Sequence, residues 1–236
     1  MEHLFGLLSF GPDGWGDELA AGAWLTIRLA FATLPFGLAV GFLVALAKDS
    51  GRWWLTIPGN LFTTVFRGLP ELLTLFIVYY GGQILLQEIV QLVADTRVEV
   101  SGFVAGLVAL GLVFSAYASE VFLGALRAIG RGQHEAAHAL GLRPAATLRL
   151  VILPQLVRLA LPGIANLWLV LLKDTSLVSV IALNDLLRET QVAVGATKQP
   201  FFFFLVACLV YLAMSIVSSF GIAGIERWSE RGMRRT

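Results

Sequence analysis

The chain has 236 residues, 57% of them hydrophobic and only 14% charged, where soluble domains carry roughly 25% charged residues. With a mean hydropathy of +0.80 it has more apolar surface than one soluble core of this length can hide, so lipid is the expected solvent. The net charge of +1 points to no particular partner, and with no basic patch interleaved with aromatics none is expected to be a nucleic acid; the single cysteine, Cys208, excludes an internal disulfide or a cysteine-based metal site within the chain.

In chain order, residues 1–19 hold acidic side chains and no continuous apolar run. They read as an outer-side N-terminal segment and not as a cleavable leader. A spanning helix takes about 20 mostly apolar residues, and five stretches qualify. The first covers about 20–47, with Arg28 near enough to its start to snorkel outward. The second covers about 55–86 and is interrupted by Arg67-Gly68-Leu69-Pro70-Glu71, which predicts a kinked or broken helix. The third covers about 103–126. The fourth covers about 162–183 and contains Lys173-Asp174, where a break would expose backbone groups. The fifth covers about 200–225. Trp53 and Trp54 suit an interfacial aromatic belt, and Phe201 to Phe204 a lipid-facing cluster. The expected fold is an all-α integral membrane protein. A single membrane domain covers 20–226 and a basic tail 227–236.

The bases set the orientation. Lys48 and Arg52 follow the first span. Arg127, Arg131, Arg143, Arg149 and Arg158 follow the third, and Arg227, Arg231, Arg234 and Arg235 follow the fifth. Between spans two and three Arg97 stands alone against Glu88, Asp95 and Glu99. Five spans then place the N-terminus outside and the C-terminus in the cytoplasm.

The segment 127–161 is cytoplasmic by this rule, yet it is not loop-like. Ala136, Ala137, Ala139 and Leu140 favour helix. Gly141 can stop that helix at a positive φ, and a second helical pattern over 145–151 is expected to end before Pro154. Glu135-Ala136-Ala137, then Gly141, then Ile152-Leu153-Pro154 resembles the glutamate-alanine-alanine motif of ABC importer permeases. In that family the loop forms a coupling helix that docks on a separate ATPase, so the resemblance implies that Glu135, Ala136, Ala137, Gly141, Leu153 and Pro154 meet the partner. Small Ala136 and Ala137 would allow close approach, and Glu135 would offer a charge to a partner arginine.

The same stretch also fits H-E-x-x-H, as His134-Glu135-Ala136-Ala137-His138, the pattern of zinc proteases. His3 is the one further histidine in the chain, and no carboxylate follows nearby as a third ligand. The permease resemblance explains Gly141 and Pro154; a zinc site explains neither. No metal site is therefore expected. No G-x-x-x-x-G-K-[ST] loop occurs either, so ATP and Mg are expected on a partner ATPase and no cofactor on this chain.

The resemblance extends over about 22–226. Arg67-Gly68-Leu69-Pro70, Ala116-Tyr117-Ala118-Ser119-Glu120, Leu161-Pro162-Gly163 with Asn166, and Lys173-Asp174-Thr175-Ser176-Leu177 look like the polar-amino-acid branch of these permeases. Glu71 after the proline is similar to the Q-type subunits of histidine and opine systems. The resemblance implies a bacterial inner-membrane importer of a cationic amino acid or opine. Its partners would be a second related permease, non-identical or identical, two ATPase subunits and a solute-binding protein on the outer face. Ionisable groups at membrane depth mark a pathway or an internal pair. Candidate pathway residues are Arg67, Glu71, Tyr117, Glu120, Asp174, Thr175 and Ser176. Arg67–Glu71, Arg67–Glu120 and Lys173–Asp174 are the structural pairings that compete with that role. An ion-coupled secondary transporter is the remaining alternative; the coupling loop and the lack of an inverted repeat count against it.

Overall fold

The computed structural model describes residues 6–11, 14–91, 99–181 and 183–230, and the side chains of that last stretch as far as 227. His3, Asp95, Arg97, Arg231, Arg234 and Arg235, used above as ligand or orientation markers, lie outside the described residues.

The described chain is helical throughout. The elements in order are α1 (Gly16–Asp49), α2 (Trp53–Gly68), α3 (Glu71–Phe76), a π-helical stretch Ile77–Gly81, α4 (Gly82–Gln91) and α5 (Gly102–Ala128). Then come α6 (Arg131–Ala139), α7 (Pro144–Thr147), a second π-helical stretch Leu148–Ile152, α8 (Leu153–Asp174), a 3₁₀ stretch Thr175–Ile181, α9 (Leu186–Thr197) and α10 (Pro200–Glu230). Five stretches are long and apolar enough to cross a membrane: Gly16–Asp49, Glu71–Gln91, Gly102–Ala128, Pro144–Ile181 and Pro200–Arg227.

Four expectations are corrected. The second span does not include the segment before the Arg67–Glu71 interruption. Leu69 precedes a proline, which disfavours the α conformation there, and Pro70 sits at φ −60°, ψ 133°. The chain therefore stops at Gly68 and restarts at Glu71, leaving α2 as a separate amphipathic helix and 71–91 as the span. The helix over 145–151 does not end before Pro154, nor does the fourth span begin at Pro162. The backbone runs from Pro144 to Ile181 and passes both prolines. A proline removes one i→i−4 bond and crowds the carbonyl four residues back, here that of Leu150. The wider π turn over Leu148–Ile152 gives that carbonyl room. Finally, no break occurs at Lys173; α8 tightens directly into the 3₁₀ stretch.

Contacts divide the chain into two compact units. The first comprises Met1–Pro35, Leu69–Gly111 and Val170–Val217, the second Phe36–Gly68, Leu112–Leu169 and Ser218–Thr236. In the first, Leu19, Leu186, Ala193 and Phe203 form a buried cluster. A β-carbon on Gly22 would stand 2.9 Å from the backbone of Asp185 and Leu186, so only glycine lets α1 approach the start of α9. In the second, Ala45, Leu123, Leu126, Ile152, Leu156 and Ala160 pack together. There Gly41 lies so close to α5 that a β-carbon would stand 2.9 Å from the Ser115 carbonyl oxygen. Small residues permit such close helix approach where lipid gives no hydrophobic drive between helices.

Candidate transport and coupling sites

The segment after α5 builds its own shape. α6 ends in a left-handed glycine: Gly141 has φ +73°. Gly141 N–H donates to the His138 carbonyl at 2.9 Å, and Leu142 N–H donates to that of Ala137 at 3.1 Å. This is the Schellman arrangement, in which a C′ glycine lets two orphan carbonyls be satisfied. Pro144 then opens α7 with its φ already set. An open recess of about 480 Å³ results, lined by His134, Glu135, His138, Leu142, Pro144, Thr147, Leu148 and Ile152.

Within this segment Glu135 and Ala136 are exposed, while Ala137 is 2% exposed and faces inward. The small side chain of Ala137 is thus buried within the chain itself. A β-carbon on Gly141 would meet nothing within 4 Å, so its φ, not space, demands glycine. Leu153 and Pro154 are the first two residues of α8. Among the described residues no group of three or more His, Cys, Asp or Glu is placed to hold a metal; His134 and His138 share the recess with Glu135 alone of the acidic residues.

A second constellation lies in the second unit. Lys48, expected as a loop base, instead ends α1 buried, and its ammonium donates to Glu120 Oε1 at 2.6 Å and to Thr63 Oγ1 at 3.2 Å. Arg67 Nη1 stands 3.4 Å from the same Glu120 oxygen. The Arg67 guanidinium carbon lies 5.4 Å from the centroid of the Tyr117 ring, within cation–π range. Of the competing pairings, Arg67–Glu120 is present; Arg67–Glu71 and Lys173–Asp174 are not among the ion pairs of the described residues. Sequence reasoning missed Lys48 and Thr63. A lysine closing an apolar helix reads as an interfacial base, and nothing local shows that it turns inward.

The first unit holds the other pathway candidates. Glu71 begins α3, where a carboxylate suits the positive end of the helix dipole. Asp174 is half-buried and feels the negative charge of Glu71 and the positive charge of Lys173. Thr175 is fully buried and its hydroxyl donates to the Leu172 carbonyl at 2.7 Å, which commits its proton to the preceding turn. Ser176 is half-buried beside it. Near the start of α9, Asp185 is wholly buried and caps the helix, accepting from Arg188 N–H at 3.0 Å and Leu187 N–H at 3.4 Å. Thr26 Oγ1 of α1 accepts from Leu186 N–H at 3.3 Å. Burial raises the Asp185 carboxyl from 3.8 to about 6, against the lowering by those backbone donors. Helix α9 was not anticipated. Its signal was an aspartate directly before an apolar pair, an N-cap pattern without the glutamate three residues on that would have strengthened it.

Five stretches of the described residues are long and apolar enough to cross a membrane, with a short two-helix segment between the third and the fourth. Residues 25–235 match the family model described as binding-protein-dependent transport system inner membrane component, and the chain belongs to that family. It is a permease subunit of an ABC importer and not an enzyme; hydrolysis of ATP lies on separate subunits. The chain is 43% identical to the nopaline transport system permease protein NocQ of Agrobacterium fabrum, over 97% of this chain and 98% of that one. It is 38% identical to the arginine ABC transporter permease protein ArtQ of Escherichia coli, over 92% and 97%. It is 35% identical to the histidine/lysine/arginine/ornithine permease HisQ of Salmonella typhimurium, over 94% and 97%. Among solved structures, a chain of an amino acid ABC transporter with histidines matches with a TM-score of 0.76 at 30% identity, over 90% of this chain and 94% of that one. A chain of the MetNI methionine ABC transporter shares the fold, with a TM-score of 0.74 at 17% identity.

Proposed function

We propose that this permease carries a polar, cationic amino acid or an opine across the bacterial inner membrane, its N-terminus outside and its C-terminus cytoplasmic. It pairs with a second related permease, a different chain or another copy. Two ATPase subunits carrying ATP and Mg sit on the cytoplasmic side, and a solute-binding protein docks outside. Segment 20–226 is the transmembrane domain, 1–19 an outer-side lead-in and 227–236 a basic tail. The substrate class is supported by the relatives, whose names specify nopaline, arginine and the histidine group.

The observation that carries the coupling role is the segment after α5, where a left-handed Gly141 holds α6 against the start of the fourth span and leaves Glu135 at the rim of an apolar recess. Glu135, Ala136 and the recess meet the ATPase; Ala137, Gly141, Leu153 and Pro154 hold the shape that presents them. For the solute, Glu71 and Asp174 are two carboxylates with no cation at ion-pair distance among the described residues, a setting suited to a guanidinium or ammonium. Ser176 flanks them and Thr175 anchors the helix; Arg67, Tyr117 and Glu120 are the pathway residues of the second unit.

Gly141→Val tests the coupling role. A β-branched residue at φ +73° is strained, whereas Asn tolerates that region. Gly141→Val should insert and pair, yet lose co-purifying ATPase or lose hydrolysis-linked uptake, while Gly141→Asn retains most of both. Normal uptake by Gly141→Val would show that this segment is not the coupling element. Reporter fusions after Gly51 and Gly132 should report cytoplasm and one after Asn184 the outer side; an outer signal at Gly132 would defeat the orientation.

A further inference from the structure

We propose that Arg67 is a carboxylate-binding station for the transported solute, kept available by Lys48, which takes up the charge of Glu120. This rests on the amino-acid reading above and adds which end of the solute Arg67 meets.

The argument starts from charge. Glu120 carries one negative charge and has two cationic neighbours, so the cluster keeps one positive charge in excess. The two cations are not equivalent. Lys48 is 2.6 Å from the carboxylate with 4% of its side chain exposed, and Thr63 completes its shell. It is the buried, satisfied member, and burial of a charge is tolerated only when so paired. Arg67 touches the same oxygen at 3.4 Å, an ion-pair contact longer than a close charge-assisted bond, and 45% of its side chain is exposed. The surplus charge therefore resides on Arg67.

Its surroundings prepare it for a planar anion. A guanidinium presents five N–H donors in a rigid fork, and Tyr117 supports it at 5.4 Å. Glu120 lies eight residues before the end of α5 (128 − 120), about 12 Å of helix rise. A surplus cation at that level is costly unless it faces water or a passing solute. The fork matches a carboxylate bidentately, and every amino acid presents one. Lys48 is in this account a positioning residue: without it, Glu120 would be free to close on Arg67.

The test is calorimetric titration of the purified transporter, with its co-purifying subunits and no binding protein. The titrants are arginine against its decarboxylated form agmatine, and glutamine against 4-aminobutanamide. In the wild-type complex, arginine should bind about tenfold or more tightly than agmatine, as befits a charge-assisted contact. Arg67→Gln should bring the two to equal affinity by weakening arginine while leaving agmatine unchanged, and Arg67→Lys should keep part of the preference. Lys48→Met should also shrink the preference although the guanidinium is untouched, which loss of packing alone would not do. Equal loss of both titrants in Arg67→Gln, as a structural or lipid-phosphate role would give, overturns the proposal. So does a wild-type complex that prefers neither amino acid over its decarboxylated form. If glutamine alone shows the preference, and Arg67→Gln removes it, the cationic-substrate reading fails while Arg67 stands.

Discussion

Asp185 of the first unit is wholly withdrawn from solvent and Glu120 of the second in part, and the two carboxylates are answered by different chemistry. Asp185 stands at the start of α9, where the first amide N–H groups have no partner in the helix, and it is met by the backbone donors of Leu187 and Arg188. Glu120 stands in the interior of α5, where every nearby amide is committed to the helix ladder. It must therefore import its partners as side chains, and it takes them from Lys48 at the end of α1 and Arg67 at the end of α2. A capped carboxylate is a local arrangement that travels with its helix; an ion-paired one ties three helices together. The comparison predicts that removing the charge is cheap at Asp185 and expensive at Glu120.

The largest effect is expected there. Glu120→Gln strands Lys48 with its ammonium buried. The cost should be about 3 kcal/mol, the low end for breaking a buried pair, because 35% of the Glu120 side chain is exposed. Thermal unfolding of the detergent-solubilised complex would show it. Lys48→Met combined with Glu120→Leu should recover most of the loss, since an apolar pair leaves no orphan charge. A single variant as stable as wild type would mean that the cluster does not tie the three helices.

An intermediate effect is expected where backbones touch. Gly22→Ala places a methyl 2.9 Å from the Asp185 backbone, and Gly41→Ala places one 2.9 Å from the Ser115 carbonyl oxygen. Overpacking of this kind costs about 1–3 kcal/mol. At Gly22 the obstacle is backbone, and at Gly41 it is backbone together with the Ala118 β-carbon, so neither should be relieved by a side-chain rotation. Gly141→Ala, where no atom lies within 4 Å, should cost only the left-handed backbone, about 1–2 kcal/mol. A ranking by melting temperature that puts Gly141→Ala below the other two would contradict the close approaches.

The smallest effect is expected at Asp185. Asn caps a helix about as well as Asp, whereas Ala costs about 1 kcal/mol, so Asp185→Asn should change stability at pH 7 little and Asp185→Ala more. Burial raises the carboxyl from 3.8 to about 6 in the folded chain. Between those values the folded state holds a proton that the unfolded state releases. Stability should therefore fall as the pH rises from about 4 to 6 and level off above. Asp185→Asn should flatten this segment of the melting-temperature profile. An unchanged slope would assign it to another group, Glu189 being a candidate because burial and the nearby charge of Glu18 raise it as well.

Sequence by itself determined the class of this protein. Five apolar runs of spanning length are a solvent argument, and they needed no tertiary information: a chain that cannot satisfy its surface in water must span. The Glu135-to-Pro154 spacing was legible for a related reason, because Gly141 is a local conformational demand visible at one position. What only the tertiary structure decided was which charges meet. Lys48 ends an apolar helix and reads as an interfacial base, yet it is buried against Glu120, 72 positions away in the chain. Arg67 has Glu71 one turn ahead of it, yet the break at Leu69-Pro70 removes the helical spacing that would have brought them together. Likewise nothing in the sequence shows that Ala137 is buried while its neighbours Glu135 and Ala136 are exposed. Ion pairs and close approaches are chosen by which helix faces meet, and no local pattern in the residues carries that information.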